Sequence, residues 1–257
     1  MNLTFYKYHG AGNDFILFDN RAGNISLSTE QILLLCHRHY GIGADGLMLL
    51  EQEQGFDFKM VYYNSDGKIS SMCGNGGRCI TAFAQKLGIV QKEATFTAID
   101  GSHKAYIDNG LVSLHMQDVD EIKDGENASI LNTGSPHYIS WVDDIHATDV
   151  FNKGRAIRNK AEFSPGGINV NFVQRLQDGL WVRTYERGVE NETHSCGTGV
   201  TAAAIAASGA SEGDFNYKIY TTGGTLHVSF TKDSKSSAKN VVLKGPAVFV
   251  FEGVIRL

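Results

Sequence analysis

The sequence predicts an α+β protein of two pseudo-symmetric domains, each a mainly antiparallel β-sheet around a central helix. Three observations predict it. Short β-like runs dominate, and many are separated by dipeptides that favour hairpin turns. The phrase Cys-Gly-polar-Gly is written twice, as Cys73-Gly74-Asn75-Gly76 and Cys196-Gly197-Thr198-Gly199, once in each half of the chain. Each copy precedes a run, Arg78 to Leu87 and Thr201 to Ser208, that is apolar or small nearly all round, as expected of a helix enclosed by sheet.

A first strand leads into His9-Gly10-Ala11-Gly12-Asn13-Asp14-Phe15, whose glycines read as a tight turn presenting Asn13 and Asp14; an ordinary β-turn is the simpler account. Ser28 with Gln31 makes a capping box ahead of the helical run Ile32–His37. The alternation Phe56-x-Phe58-x-Met60-x-Tyr62 is a strand, and Asn64-Ser65-Asp66-Gly67 is the turn after it. Gly88 and Gly209 end the two post-cysteine helices from the left-handed region. Asn109-Gly110 joins Lys104–Ile107 to Leu111–Met116. The stretch Gln117–Asn127, with Asp118, Asp120, Glu121, Asp124 and Glu126, has little to bury, and the crossover between units is expected there. Val150–Asn159 is a further, weaker helix. Asp178-Gly179 then precedes the strand Leu180–Glu186, and Gly223-Gly224 separates Tyr217–Tyr220 from Leu226–Phe230.

The chain has 257 residues, 42% of them hydrophobic, which supplies proper cores without covalent staples. Its four cysteines show neither a disulfide framework nor paired Cys-x-x-Cys zinc ligands, so a reduced, cytoplasmic protein with no metal is expected. The first ten residues lack a basic segment followed by an apolar run, and no stretch is long enough to span a bilayer. A formal charge of −5 without a run of Lys or Arg argues against nucleic acid and for a small polar substrate. A homodimer is left open.

Cys36 and Cys79 lie inside apolar helical runs and read as small buried hydrophobes. Cys73 and Cys196 differ. Each falls where a helix begins, and the positive end of the backbone dipole there favours a thiolate over the roughly 8.5 pKa of an ordinary thiol. The glycines that follow let the backbone approach a ligand, although a duplicated structural turn would be copied in the same way. The same N–H donors suit a substrate carboxylate, which would acidify its neighbouring Cα–H. Two such thiols facing one bound molecule suit removal of a proton from one face of a carbon and delivery to the other. Tyr185-Glu186-Arg187-Gly188 sets opposite charges side by side at a strand end. Such pairs are commonly solvated; lining a cleft, Glu186 would hold an ammonium and Arg187 a carboxylate. His137, after Pro136, is equally readable as a satisfied surface histidine.

Together these motifs resemble the diaminopimelate epimerase family. The resemblance runs nearly end to end, through His9 to Phe15, Gly41-Ile42-Gly43-Ala44-Asp45-Gly46, Asn64 to Gly67, Met72 to Arg78, Pro136-His137, Asn169-Val170, Tyr185 to Gly188 and Ser195 to Gly199. It implies strongly curved sheets with the active site in the interdomain cleft. It also returns the final strand, Ala247 to Ile255, to the first unit, giving 1–117 with 247–257 and 118–246. It implies a pyridoxal-independent amino-acid epimerase with no cofactor, converting LL-diaminopimelate to the meso isomer. In that resemblance Cys73 and Cys196 are the acid/base thiols, and His137 and Glu186 set their protonation states. Gly74, Asn75, Gly197 and Thr198 hold the reacting carboxylate, while Asn13, Asn64, Asn169, Glu186 and Arg187 grip the distal amino-acid group. Ser135 stands where asparagine is common, and Gly46 where some members carry glutamine. The rival readings are a two-thiol proline or hydroxyproline racemase and a non-catalytic binding or redox protein whose cysteines pair. The phenazine-pathway isomerases share the fold without the paired cysteines.

Overall fold

The computed structural model describes residues 2–70, 72–125 and 128–257. The chain divides into two compact units, one of residues 1–114 with 245–257, the other of residues 115–244. The polar stretch Gln117–Asn127 lies just past this division, within the second unit. That stretch is not bare linker: Val119 is buried and bridges Ala238, so the second unit is already being built there. Glu126 and Asn127 of the same stretch lie outside the described residues.

The first unit opens with β1 (Asn2–Gly10) and β2 (Asn13–Asp19), followed by α1 (Thr29–Cys36), β3 (Gly46–Glu51) and β4 (Phe58–Asn64). After these come α2 (Gly74–Lys86), β5 (Glu93–Ala98), β6 (Gly101–Asp108) and β7 (Leu111–His115). The second unit begins with β8 (Ile122–Asp124), β9 (Ala128–Asn132) and β10 (Pro136–Trp141), then α3 (Val150–Arg158), β11 (Asn169–Leu176) and β12 (Gly179–Glu186). It continues through β13 (Asn191–Thr193), α4 (Gly197–Ala207), β14 (Gly213–Thr221), β15 (Gly224–Lys232) and β16 (Lys239–Pro246). The last strand, β17 (Val248–Arg256), pairs antiparallel with β1 and so belongs to the first unit.

The duplication is plain in the pairing. In the first unit β1–β2 is antiparallel, β2–β3 parallel, β3–β4 antiparallel, β4–β5 parallel, and β5–β6 and β6–β7 antiparallel. The second unit repeats the same polarities through β9–β10, β10–β11, β11–β12, β12–β14, β14–β15 and β15–β16. Each parallel pair is joined by a stretch that contains a helix, because parallel neighbours need a long crossover. Even the edge is matched: β17 lies antiparallel to β1 as β8 lies antiparallel to β9.

Local chemistry explains the elements. Asn109 and Gly110 both take positive φ, 50° and 78°, the conformation of a two-residue turn whose twist suits the flanking strands. Ala11 and Gly12 do the same between β1 and β2, so the hairpin puts Asn13 directly opposite Gly10. Two expected turns shift by one residue. Gly179 and Gly224 are the first residues of β12 and β15, paired with Leu176 and Thr221, and the loops are Gln177-Asp178 and Thr222-Gly223. At α1 both halves of the Ser28–Gln31 capping box are present, and at α3 the Asp149 side chain accepts from Asn152 N–H.

In each unit one helix packs on one side of the sheet and a second is wrapped by it. In the first, Ile32 and Leu35 of α1 pack against Ile16, Phe18, Leu47 and Leu49 of β2 and β3. In the second, Val150 of α3 joins Val170, Phe172 and Tyr185 of β11 and β12. The post-cysteine helices are the enclosed ones: α2 touches β1, β2, β3, β4, β6 and β17, and α4 touches β9, β10, β11, β12, β14 and β15. Residues Val200 to Ala207 are all buried, and the alanine run keeps α4 thin enough for sheet to close around it. Both helices end as expected, with Gly88 and Gly209 at positive φ just past their C-caps.

Candidate active site

Cys73 and Cys196 are the N-cap residues of α2 and α4, and their backbones are nearly superposable, with φ/ψ of −102°/129° and −108°/113°. In each case the cysteine carbonyl accepts the first helical bond, from Gly77 N–H at 2.7 Å and from Val200 N–H at 2.9 Å. The helices therefore start at the glycine after each cysteine, earlier than the helix-prone runs suggested. Residues 74–76 and 197–199 occupy the first turn, whose N–H groups have no intrahelical acceptor.

The second glycine of each motif serves packing. A Cβ on Gly199 would lie 2.3 Å from Asn171 Oδ1, and one on Gly76 would lie 3.3 Å from both Met48 Sδ and Met60 Cε. These glycines let the helix start approach the sheet, so their placement answers to protein atoms beneath them.

Around Cys73 the first unit builds a charged network. Cys73 Sγ donates to Asn13 Oδ1 at 3.6 Å, and Asn75 Nδ2 donates to the same oxygen at 3.2 Å. Asn13 Nδ2 donates to Asp45 Oδ2 at 2.7 Å, and Asp45 pairs with Arg38 at 2.6 Å. Arg38 also holds Asp14 at 2.8 Å, and Lys7, itself buried, pairs with Asp14 at 2.7 Å and donates to Gly43 O. Burial pushes the Asp14 carboxyl up, but hydrogen bonds from Arg38 and Lys7 outweigh it and hold the pKa at about 2. From below, fully buried Arg78 donates to Asn75 Oδ1 at 2.8 Å and Gly74 O at 3.1 Å, which fixes both residues of the helix start.

Around Cys196 the network is uncharged. Thr198 Oγ1 lies 3.4 Å from Cys196 Sγ, 2.9 Å from His137 Nε2 and 3.3 Å from Ser135 Oγ, and Ser135 Oγ lies 3.0 Å from His137 Nε2. His137 is fully buried, and burial, reinforced by the charge of Arg187, pushes its pKa down to about 3, so the ring is neutral at pH 7. Its tautomer follows from Asn171. The Asn171 amide nitrogen donates to the Tyr138 carbonyl at 3.2 Å, while its oxygen accepts from the Thr184 hydroxyl at 2.8 Å. The same nitrogen lies 3.1 Å from His137 Nδ1, which must then accept, leaving the ring proton on Nε2.

Other expected site residues fall as follows. Asn169 is buried at the start of β11, donating to Ser135 Oγ and Pro136 O at 3.1 Å each and accepting Arg187 N–H at 2.9 Å. Arg187 is half-buried, and Glu186 accepts from the Thr193 hydroxyl at 2.9 Å. The turn carrying them is tied down by Glu190, which accepts from Gly188 N–H and pairs with Arg158 at 2.9 Å. Asn64 is exposed at the end of β4, opposite Gly46. Gly46 has its own reason: a Cβ there would lie 2.5 Å from the Tyr62 ring. Cys36 and Cys79 are buried, and burial pushes the Cys36 thiol up to about 12 and Cys79 higher still.

Four supporting residues escaped sequence reasoning. Arg78, a cation inside an otherwise apolar enclosed helix, carried a signal in its own incongruity. Asn171 lies two residues beyond Asn169, on the same face of β11, and a second polar residue in a buried strand was the cue. Asp45 and Arg38 carried none, since an ion pair between a loop and a helix end has no sequence period.

Comparison with known proteins shows the family. A family model described as diaminopimelate epimerase matches residues 5–119 and 129–250. The chain belongs to the diaminopimelate epimerase family. A relative named diaminopimelate epimerase in Flavobacterium psychrophilum is 51% identical over 258 residues, covering 98% of this chain and 100% of the relative. One of the same name in Chlorobaculum tepidum is 42% identical, covering 96% and 99%. Among solved structures, a phenazine biosynthesis protein of the PhzF family from Bacillus anthracis has a TM-score of 0.80 at 12% identity, covering 100% of both chains. A hydroxyproline epimerase from Agrobacterium vitis has a TM-score of 0.70 at 16% identity, covering 100% of this chain and 93% of that one. At these identities the solved structures speak to fold alone. Among the described residues no helix is long and apolar enough to cross a membrane.

Proposed function

We propose that this chain is a cofactor-independent amino-acid epimerase that inverts one α-carbon of diaminopimelate, interconverting the LL and meso isomers, as the family's name implies. The observation that carries it is the matched pair of cysteine N-caps, each at the start of an enclosed helix and each bonded to a different polar network. One thiolate takes the α-proton and the opposed thiol delivers another to the opposite face, so charge balances and each sulfur ends in the other's state. First-turn N–H groups at Gly74, Asn75, Gly197 and Thr198 hold the reacting carboxylate and stabilise the charge that spreads into it.

Asn13, Asn64, Asn169, Glu186 and Arg187 are assigned to the distal amino-acid group, with Glu186 on its ammonium and Arg187 on its carboxylate. That grip selects the stereocentre offered to the thiols, and remote binding energy orients it. His137 and Glu186 tune the sulfur protonation states. Cytoplasmic residence, where thiols stay reduced, belongs to the same proposal.

A chiral assay tests it. LL-diaminopimelate should approach an LL/meso mixture from either isomer without added pyridoxal phosphate, and proline should remain unchanged. Turnover of proline or hydroxyproline with diaminopimelate inert would move the protein to the racemase reading.

A further inference from the structure

We propose that the hairpin turns following the two enclosed helices are positioning devices for the cysteine N-caps, with Asp100 the positioning residue for Cys73 and Thr222 the positioning residue for Cys196. Each turn holds the backbone just ahead of its cysteine and so sets the direction from which the chain enters the helix. The catalytic consequence rests on the two-thiol reading; the hold itself does not.

The two turns are equivalent in the fold. Each belongs to the hairpin that comes directly after its unit's enclosed helix, β5–β6 after α2 and β14–β15 after α4. The hairpins close on the pairs Ala98–Gly101 and Thr221–Gly224, which leaves Ile99-Asp100 and Thr222-Gly223 as the loops. Gly101 and Gly224 both take positive φ, 122° and 138°.

In the first unit the turn accepts. The Asp100 carboxylate takes the backbone N–H of Met72, the residue before Cys73, and lies 3.1 Å from His103 Nε2, which must donate because a carboxylate offers only acceptors. Burial pushes the Asp100 carboxyl up, but hydrogen bonds from His103 and from the Asp100 and Met72 N–H groups outweigh it and hold it below the usual carboxylate range. His103 is buried, with its ring 5.3 Å from that of Phe96, which stacks on Phe58 at 4.8 Å. The three rings stand opposite one another on β4, β5 and β6, so the imidazole that holds Asp100 is fixed by the sheet. The Met72 side chain is placed as well. A Cβ on Gly77, the fourth residue of α2, would lie 3.2 Å from Met72 Sδ and 2.9 Å from Leu114 Cδ2, so Met72 occupies the position of a hydrophobic staple, which fixes the angle of entry into a helix.

In the second unit the turn donates. Thr222 Oγ1 and Gly223 N–H both reach the carbonyl of His194, at 3.0 and 2.9 Å, and His194 stands two residues before Cys196. The turn is braced by Thr221 Oγ1, which donates to Gly224 O at 2.9 Å. The direction of the hydrogen bond has reversed between the units while its place in the fold has been kept. A turn needed only to join two strands has no reason to bond the chain that leads into the preceding helix. Released from it, the entering backbone can swing, and the cysteine moves off the first turn, whose N–H groups favour its thiolate and are assigned to the substrate carboxylate.

The test is iodoacetamide alkylation of the intact protein without substrate, with each cysteine followed separately by peptide mass spectrometry across a range of pH. Asp100→Ala should slow Cys73 about threefold at pH 7 and move its pH profile upward, with Cys196 unchanged. Thr222→Val should slow Cys196 by about twofold, the Gly223 N–H still being in place, with Cys73 unchanged. Asp100→Asn keeps a carbonyl acceptor for Met72 N–H and Thr222→Ser keeps the hydroxyl, and each should restore the parent rate. A Cys73 rate unmoved or raised in a folded Asp100→Ala protein overturns the proposal, as do equal losses at both cysteines or an Asp100→Asn protein as slow as Asp100→Ala. If Asp100→Ala does not fold, the Thr222 pair decides: Thr222→Val slowing Cys196 with rescue by Thr222→Ser supports the device, and an unmoved Cys196 overturns it. The readout needs no diaminopimelate, so failure of the substrate assignment leaves it intact and separately visible.

Discussion

Asn13, the side chain that meets Cys73, is held by ion pairs, whereas Thr198, the side chain that meets Cys196, is held by hydroxyls and an uncharged imidazole. Lys7, Asp14, Arg38 and Asp45 form a continuous set of ion pairs reaching Asn13. Ser135, His137, Asn169, Asn171, Thr184 and Thr198 form an equally continuous set carrying no charge at pH 7. Strand order, pairing polarity and the backbone at both cysteines are nevertheless the same. Duplication kept the scaffold that puts a sulfur at a helix N-terminus and let the flanking side chains diverge. The two-thiol proposal needs that divergence, because in it one sulfur gives a proton while the other takes one.

The harshest way to break the comparison is to remove either sulfur. Cys73→Ala and Cys196→Ala should each lower turnover by on the order of 10³-fold, the range of a lost acid or base, with an unchanged circular dichroism spectrum. A variant that keeps activity within tenfold of the parent would show that its unit contributes no catalytic proton.

Acid separates the units next. His137 has a folded pKa near 3, below its unfolded value of about 6.5, so the stability gained by keeping it neutral is complete above that value and drains away as pH falls toward 3. Asp14 has a folded pKa near 2, below an unfolded value of about 3.9; its contribution, about 2 kcal/mol, is present above that value and is lost as pH falls through 2. Hydrogen exchange at pH 7, 5 and 3 should show strands β10 and β11 losing protection by pH 5 while β2 and β3 hold. The opposite order would contradict the charge assignments.

Smaller effects sharpen the comparison at the helix starts. Gly199→Ala drives a methyl group into Asn171 Oδ1, which is locked by Thr184, and should cost about 1–3 kcal/mol in urea unfolding. Gly76→Ala meets only the ends of Met48 and Met60, which can shift, and should cost less than half as much. Equal costs would show that Asn171 yields to an added methyl as readily as the two methionines do.

Much of this was legible in the chain. Asn109-Gly110, the Ser28 capping box and the terminal Gly88 and Gly209 are local devices, written in adjacent residues and formed as read. Both cysteines stand where a helix begins because the repeated phrase records it. The parallel pairs β2–β3, β4–β5, β10–β11 and β12–β14 were not legible, since their partners are brought together across intervening helices and leave no turn signature. Nor was the glycine at position 199 readable for its true neighbour: sequence suggested backbone approach to a ligand, and the structure puts Asn171 beneath it. The polarity of the two networks depends on which end of an amide faces sulfur, and composition cannot carry that.

The central claim is that two sulfurs serve one α-carbon, and deuterium incorporation during a single passage in heavy water tests it most directly. With LL-diaminopimelate, the account predicts meso product carrying one solvent deuterium at the inverted carbon while unreacted LL substrate stays protiated. Product retaining the original hydrogen, or substrate exchanging as fast as product forms, would mean a single shared base and would contradict it.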